Sequence, residues 1–202
     1  MSGRGRFIVF EGGDACGKST QAAQLAADLG ARLTRQPGGT AIGASIRAIV
    51  LDRANVALDD RAEALLYAAD KAQHVHEVIE PALARGDDVV CDRYVASSVV
   101  YQGSGRGLDL SYLAELLGWA TASLEPDLVL LLEVSDTVMH ERLGVERDRL
   151  EALPADFHER VREGFRSLAA SDPQRWVRID ASGTIAEVAA RVRLAVSRRW
   201  PA

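Results

Sequence analysis

The sequence predicts an α/β protein whose core is a parallel sheet of five strands covered by helices on both faces. Short apolar runs, too brief for helices, alternate with longer stretches whose apolar residues recur at helical spacing. A glycine-rich loop directly follows the first run, where an α/β sheet presents its ligand edge. No internal repeat, low-complexity tract or linker interrupts the pattern, so residues 1–202 are expected to form one domain.

Residues 7–10 read as the first strand. Residues 18–29 follow as a helix, with Ala22, Leu25, Ala26 and Leu29 on one side. A second strand is expected at 32–35, then the loop QPGGT and a helix over 42–51 in which glycine marks a bend. Asp59 or Asp60 is placed to cap a long helix running to about residue 85, kinked by Pro81 and stopped by Gly86. Strands at 88–91, 127–134 and 176–179 and helices at 111–122, 136–143, 157–168 and 184–196 complete the alternation. Residues 144–153 are dense in charge, which no core position buries, so they form either an exposed loop or a mobile lid over something anionic.

Composition narrows the function. A formal net charge of -5 excludes a general affinity for nucleic acid, which needs a basic face. Cys16 and Cys91 make neither a disulfide framework nor a zinc pattern, and a reducing, cytoplasmic setting is expected. Residues 1–7 carry no signal-peptide apolar region, and no run is long enough to span a membrane. Lys18 and Lys71 are the only lysines among 24 basic residues.

The chemistry starts at GGDACGKST, residues 12–20. Gly12, Gly17, Lys18 and Ser19 match G-x-x-x-x-G-K-S/T between a strand and a helix, the pattern that cradles a nucleoside triphosphate. Backbone N–H groups of Gly12, Gly13, Asp14, Ala15, Cys16 and Gly17, with the helix start at Ser19 and Thr20, would surround the phosphates. Lys18 can reach the β and γ oxygens, and the Ser19 hydroxyl can hold Mg²⁺. Cys16 reads as a packing residue rather than a nucleophile, since no histidine neighbours it in sequence. The N-K-x-D motif of switch GTPases is absent, as is a D-x-x-G after a later strand. Instead the third strand, DDVVC, delivers Asp92-Arg93-Tyr94 to the ligand edge. There Arg93 can fork onto a phosphate while Asp92 orients it or acts near Mg²⁺, although a surface ion pair explains that dipeptide equally well.

CDRYVASSVVYQG at 91–103 resembles the D-R-Y/F-x-x-S-x-x-A-Y-Q-G signature of thymidylate kinases, which phosphorylate dTMP with ATP. FEGGDACGKSTQ, TRQPGGTAIGASIR, ALLYAADKAQHV and RDRLE fall in that family's order, so the resemblance covers nearly the whole chain. It implies a three-layer P-loop kinase fold with a short lid at about 143–153, ATP with Mg²⁺ as donor, dTMP as acceptor and a homodimer. Its interface would draw on the Ala-rich helices near 61–84 and 111–122, for which a buried intrachain role reads identically. Asp14 would lie near the acceptor's 3′-hydroxyl and phosphate, and Arg35, Arg47 and Arg93 around the monophosphate. Pro37, Gly38 and Gly39 would turn that segment against it. Tyr67 would stack on thymine and Lys71 reach a base carbonyl, where the family usually has Phe and Arg. Ser98 and Gln102 would lie near the base and Tyr101 beside the sugar, with ordinary helix packing a rival for Ser98 and Tyr101. Gln36 stands where the family has Glu, and His74 reads as structural. Ala15 follows Asp14 where one subgroup has a catalytic arginine, so Arg147 and Arg149 in the lid would supply that charge. Kinases of other monophosphates such as dUMP, and a non-catalytic nucleotide sensor, are the competing readings.

Overall fold

The computed structural model describes residues 3–142 and 148–201. Strand β1 (Phe7–Glu11) leads through the glycine loop into helix α1 (Lys18–Leu29), and β2 (Arg32–Arg35) into α2 (Ala41–Leu51) and α3 (Asp60–His74). A widened π-helical segment (Val75–Ile79) joins α3 to α4 (Glu80–Ala84), which precedes β3 (Val89–Asp92). A short α5 (Val95–Ser98) passes into a second π-helical segment (Val99–Gly105), then α6 (Leu110–Ala120). Finally come β4 (Leu128–Glu133), α7 (Asp136–Arg142), α8 (Ala155–Ser171), β5 (Trp176–Asp180) and α9 (Ile185–Arg199).

All the strand pairings are parallel, in the order β2-β3-β1-β4-β5. The central strands β1, β3 and β4 are buried on both faces, which is why they read as continuous apolar runs. Alternate residues serve opposite layers. Ile8, Phe10, Leu128 and Leu130 meet Leu25 of α1 and Val192 of α9. Phe7, Val9, Val89 and Cys91 meet Val75, Ile79 and Leu83. A third cluster packs Leu131 against Tyr101, Phe157 and Phe165. Among the described residues, no helix is long and apolar enough to cross a membrane.

Three expectations change. The long helix does not run on to a kink at Pro81. It widens one turn earlier, at Val75–Ile79, and Pro81 falls in the first turn of α4, where its missing N–H costs nothing. Helix α2 is unbroken, and Gly43 is a packing requirement rather than a bend: a Cβ there would lie 2.4 Å from Asp70 Oδ1. Residues 95–105 are helical, an element absent from the periodicity because its π turns break the 3.6-residue repeat. Asp59, of the two aspartates, caps α3 by accepting from the backbone N–H groups of Arg61 and Ala62.

Candidate active site

The ligand edge of the sheet is built outward from β1. Gly12 has φ 139°, and a Cβ there would stand 2.4 Å from Leu132 O, so the loop can begin only with glycine. The loop closes at Gly17, left-handed at φ 92°, which caps α1 and turns its free N–H groups inward. Lys18 is buried and its Nζ donates to Gly13 O at 2.5 Å and lies 3.5 Å from Cys16 Sγ. Cys16 is a buried packing residue, and Thr20 is exposed on α1. Ser19 Oγ donates to Asp92 Oδ2 at 2.5 Å, while Asp92 Oδ1 is buried with no partner among the described residues.

Across the loop sits Arg93, with φ 70°, its N–H donating to Phe10 O at 2.9 Å. Its guanidinium donates to Gly12 O at 3.0 Å, Asp14 Oδ1 at 2.6 Å, Ser97 Oγ at 3.2 Å and the Tyr101 hydroxyl at 3.4 Å. Tyr101 in turn donates to Asp14 Oδ2 at 3.0 Å. Burial alone would raise the Asp14 carboxyl, but Arg93 and Lys18 outweigh it and hold the group below the ordinary aspartate range. Burial and the neighbouring Asp14, against the opposing pull of Arg93, leave the Tyr101 phenol far above its usual range, so it stays a donor.

A residue that the sequence reading passed over holds this arginine in place. Glu11 ends an otherwise apolar strand and is fully buried. It accepts from Tyr94 N at 2.9 Å, Ser97 N at 3.1 Å and Ser97 Oγ at 2.6 Å, capping α5 where it follows Arg93. Its signal was a lone carboxylate closing an apolar run.

These elements enclose a cavity of about 230 Å³. Its walls bring together Asp14, Ala15, Lys18, Ser19, Arg35, Pro37, Arg47, Tyr67, Lys71, Asp92, Arg93, Ser98, Tyr101 and Gln102, all expected from the sequence. Arg47 donates to Pro37 O at 3.2 Å, across a cis Gln36–Pro37 bond. Burial, with Arg35 and Arg93 nearby, lowers the Arg47 pKa. Farther in, Lys71 is buried with its Nζ 5.6 Å from the Tyr67 ring centroid. Burial lowers its pKa, against the opposing pull of Asp70, Glu11 and Cys91.

Two lid expectations come out differently. Arg147 lies outside the described residues. Arg149 does not reach the cavity: its Nε donates to Val50 O at 2.8 Å and its Nη2 pairs with the buried Glu63. A buried carboxylate holds an arginine more strongly than an open cavity does, so Arg149 is a strut in this arrangement. Asp148, Leu150 and Glu151 face the cavity instead.

Gln36, where the family has Glu, is tied to His74. Its Nε2 lies 2.9 Å from His74 Nδ1, and His74 Nε2 lies 2.6 Å from Thr34 Oγ1, so Gln36 braces the loop at the cavity wall. With an amide donating to Nδ1, the ring carries its proton on Nε2. Burial, helped by Lys71 and Arg32, brings the His74 pKa down to about 4. The unfolded chain, near 6.5, therefore binds the extra proton between those values. Stability from neutral His74 is complete above pH 6.5 and falls by about 2–3 kcal/mol on acidification to pH 4. Urea midpoints measured from pH 7.5 to 5 should fall more steeply for the natural chain than for His74→Gln; equal slopes would refute a neutral buried ring.

Comparisons with known proteins agree in one direction. A family sequence profile described as Thymidylate kinase matches residues 10–192. The chain is 51% identical over 203 residues to a protein named thymidylate kinase from Leifsonia xyli, covering 96% of each. It is 49% identical over 197 residues to another so named from Clavibacter michiganensis, covering 94% of this chain and 93% of that one. The crystal structure of thymidylate kinase from Ehrlichia chaffeensis superposes with a TM-score of 0.80 at 30% identity, covering 96% of this chain and 99% of that one.

Proposed function

Because this chain belongs to the thymidylate kinase family and catalyses ATP-dependent phosphorylation of dTMP to dTDP, we propose that the cavity between the phosphate loop and Arg35, Arg47 and Arg93 is where that transfer occurs. The observation that carries the assignment is this convergence: three arginines face a triphosphate loop across one cavity. Nucleotide holding alone needs no such cluster on the far side.

The acceptor is a phosphate oxygen, already anionic at neutral pH, so the site supplies alignment and charge rather than a strong base. Lys18 releases Gly13 O to meet the β and γ oxygens. Arg93 bridges the donor and acceptor phosphates while Arg35 and Arg47 fix the monophosphate. Asp14 and Tyr101, tied together, take the sugar side, and Tyr67 offers a ring to the base. Lys71 and Ser98 contact the base edge, Lys71 as a single point donor. Arg147 is the lid arginine assigned to the γ-phosphate.

Magnesium fits the residues present. Ser19 and the unpartnered Asp92 Oδ1 would hold it with the nucleotide's own oxygens, and it would neutralise the β and γ charge. Among the described residues no group of three His, Cys, Asp or Glu side chains is arranged to hold a metal alone, in keeping with a metal brought in on the nucleotide.

The chain is further proposed to act in the cytoplasm as one domain and as a homodimer. Leu65 on α3 and Leu110, Tyr112 and Trp119 on α6 leave apolar surface exposed, Trp119 at 84%. Light scattering should therefore read twice the chain mass of 21.8 kDa. The activity is tested by coupled ADP release with dTMP, dUMP, UMP, dCMP, dGMP and AMP. Turnover with dTMP should lead the series, and no acceptor-dependent ADP would sink the reading.

A further inference from the structure

The turn at residues 36–39, which forms one wall of the cavity, is seated on α3 by two buried side chains one helical turn apart. Asp70 is fully buried, and its Oδ1 accepts from Gly38 N at 2.9 Å. His74 takes Gln36 on the same face. The fit is close: a Cβ on Gly39 would lie 2.4 Å from His74 Nε2, and one on Gly43, at the start of α2, would lie 2.4 Å from Asp70 Oδ1. Asp70 Oδ2 has no partner among the described residues. A sealed carboxylate with one oxygen unmade is a costly way to fill a core position, so packing does not account for this residue.

The N–H that Asp70 holds and the carbonyl of Pro37 belong to one planar peptide group and point in opposite directions. On the other side of that plane, Pro37 O accepts from Arg47 Nη1 at 3.2 Å. Arg47 lies along the turn to reach it: Gly38 has φ 100°, and a Cβ there would stand 3.0 Å from Arg47 Cδ. Among the described residues no carboxylate pairs with this guanidinium. A carbonyl fixes its direction and leaves its charge whole for an anion. Glycine at position 38 leaves either orientation of the plane open, so a partner must choose between them.

We propose that Asp70 is a positioning residue for the acceptor: by holding the N–H of the Pro37–Gly38 peptide it fixes the plane whose carbonyl aims Arg47 at the monophosphate. This rests on the reading above, in which Arg47 binds that group. With the N–H released, the peptide can turn, the carbonyl leaves the guanidinium, and Arg47 keeps its charge but loses its guide. The loss falls on the acceptor and spares ATP, whose loop is mounted on β1 and α1. Affinity for one substrate is thus set by a side chain that touches neither.

The test measures kcat and the KM values for dTMP and ATP in the full chain. Asp70→Ala should raise KM for dTMP by about tenfold or more and leave KM for ATP within about twofold. Asp70→Asn keeps an oxygen for the Gly38 N–H and should stay within about threefold of the natural chain. Asp70→Val fills the space without an acceptor; it should show the alanine loss, and it stands in if the alanine variant does not fold. Because Asp70 acts through Arg47, Asp70→Ala should change KM for dTMP by less than about twofold in an Arg47→Ala background, and keep its full effect in a Lys71→Ala background. A natural KM for dTMP in a folded alanine or valine variant, an equal rise for ATP, an asparagine loss as large as the alanine one, or an undiminished effect on top of Arg47→Ala would overturn the positioning role. If Arg47→Ala raises KM for dTMP and the Asp70 variants do not, only this inference fails. If Arg47→Ala itself leaves that KM unchanged, the monophosphate reading fails and this inference with it.

Discussion

Lys18→Ala is expected to lower dTMP-dependent ADP formation by about 10³-fold or more, with the fold intact. The ammonium group is buried beside the loop and held by one carbonyl, Gly13 O. Nothing in the core depends on it, so its removal takes away charge rather than packing. In the triphosphate complex the same group would lie against oxygens whose charge shifts during transfer, and water, which this cavity restricts, is a poor substitute. The loss should fall on kcat and persist at saturating ATP. Circular dichroism and the melting temperature should stay near those of the natural chain. Activity within tenfold of natural in a folded Lys18→Ala protein would remove Lys18 from the chemistry.

Arg93→Ala should be at least as damaging, by about 10³–10⁴-fold, because one guanidinium serves both phosphates. Its donors already satisfy Gly12 O, Asp14, Ser97 and Tyr101, a fork set before substrate arrives. A lysine cannot reproduce several divergent N–H directions, so Arg93→Lys should recover only a small part of the rate. The backbone at φ 70° is equally unfavourable for alanine and arginine, so the comparison reports the side chain and not strain. Asp14 loses the main partner that depresses its pKa, and residual activity should become more sensitive to acidification. Full recovery by lysine would mean that charge alone suffices and that the fork geometry is irrelevant.

Much of this was legible in the chain because it is written locally. A glycine loop between an apolar run and a helix, and an Asp-Arg-Tyr after another apolar run, declare their chemistry through neighbours in sequence. The sheet was legible for the same reason: strands buried on both faces leave uninterrupted apolar runs. What was not legible depends on partners far along the chain. Arg149 looks like a lid arginine until Glu63, 86 residues away, is seen to take it. Gln36 reads only as a lost carboxylate until His74 is seen beside it. The helical stretch after Arg93 escaped because π turns carry Tyr101 and Gln102 out of the regular repeat, which is also how both come to line the cavity.

The end of β1 has a consequence for how the two reactants are kept apart. Phe10 O takes the Arg93 amide, the Glu11 carboxylate takes the turn just beyond it, and Gly12 O takes the guanidinium. The phosphate loop begins at that same Gly12. Donor cradle and acceptor fork thus meet at three consecutive residues at the end of β1, and their separation is set by the hydrogen bonds that join this strand end to the end of β3. Looseness elsewhere, in α2 or the lid, can cost affinity and closure without detuning the line of transfer. A catalyst laid out in this way can tolerate a soft periphery, since its critical spacing is carried by two adjoining central strands.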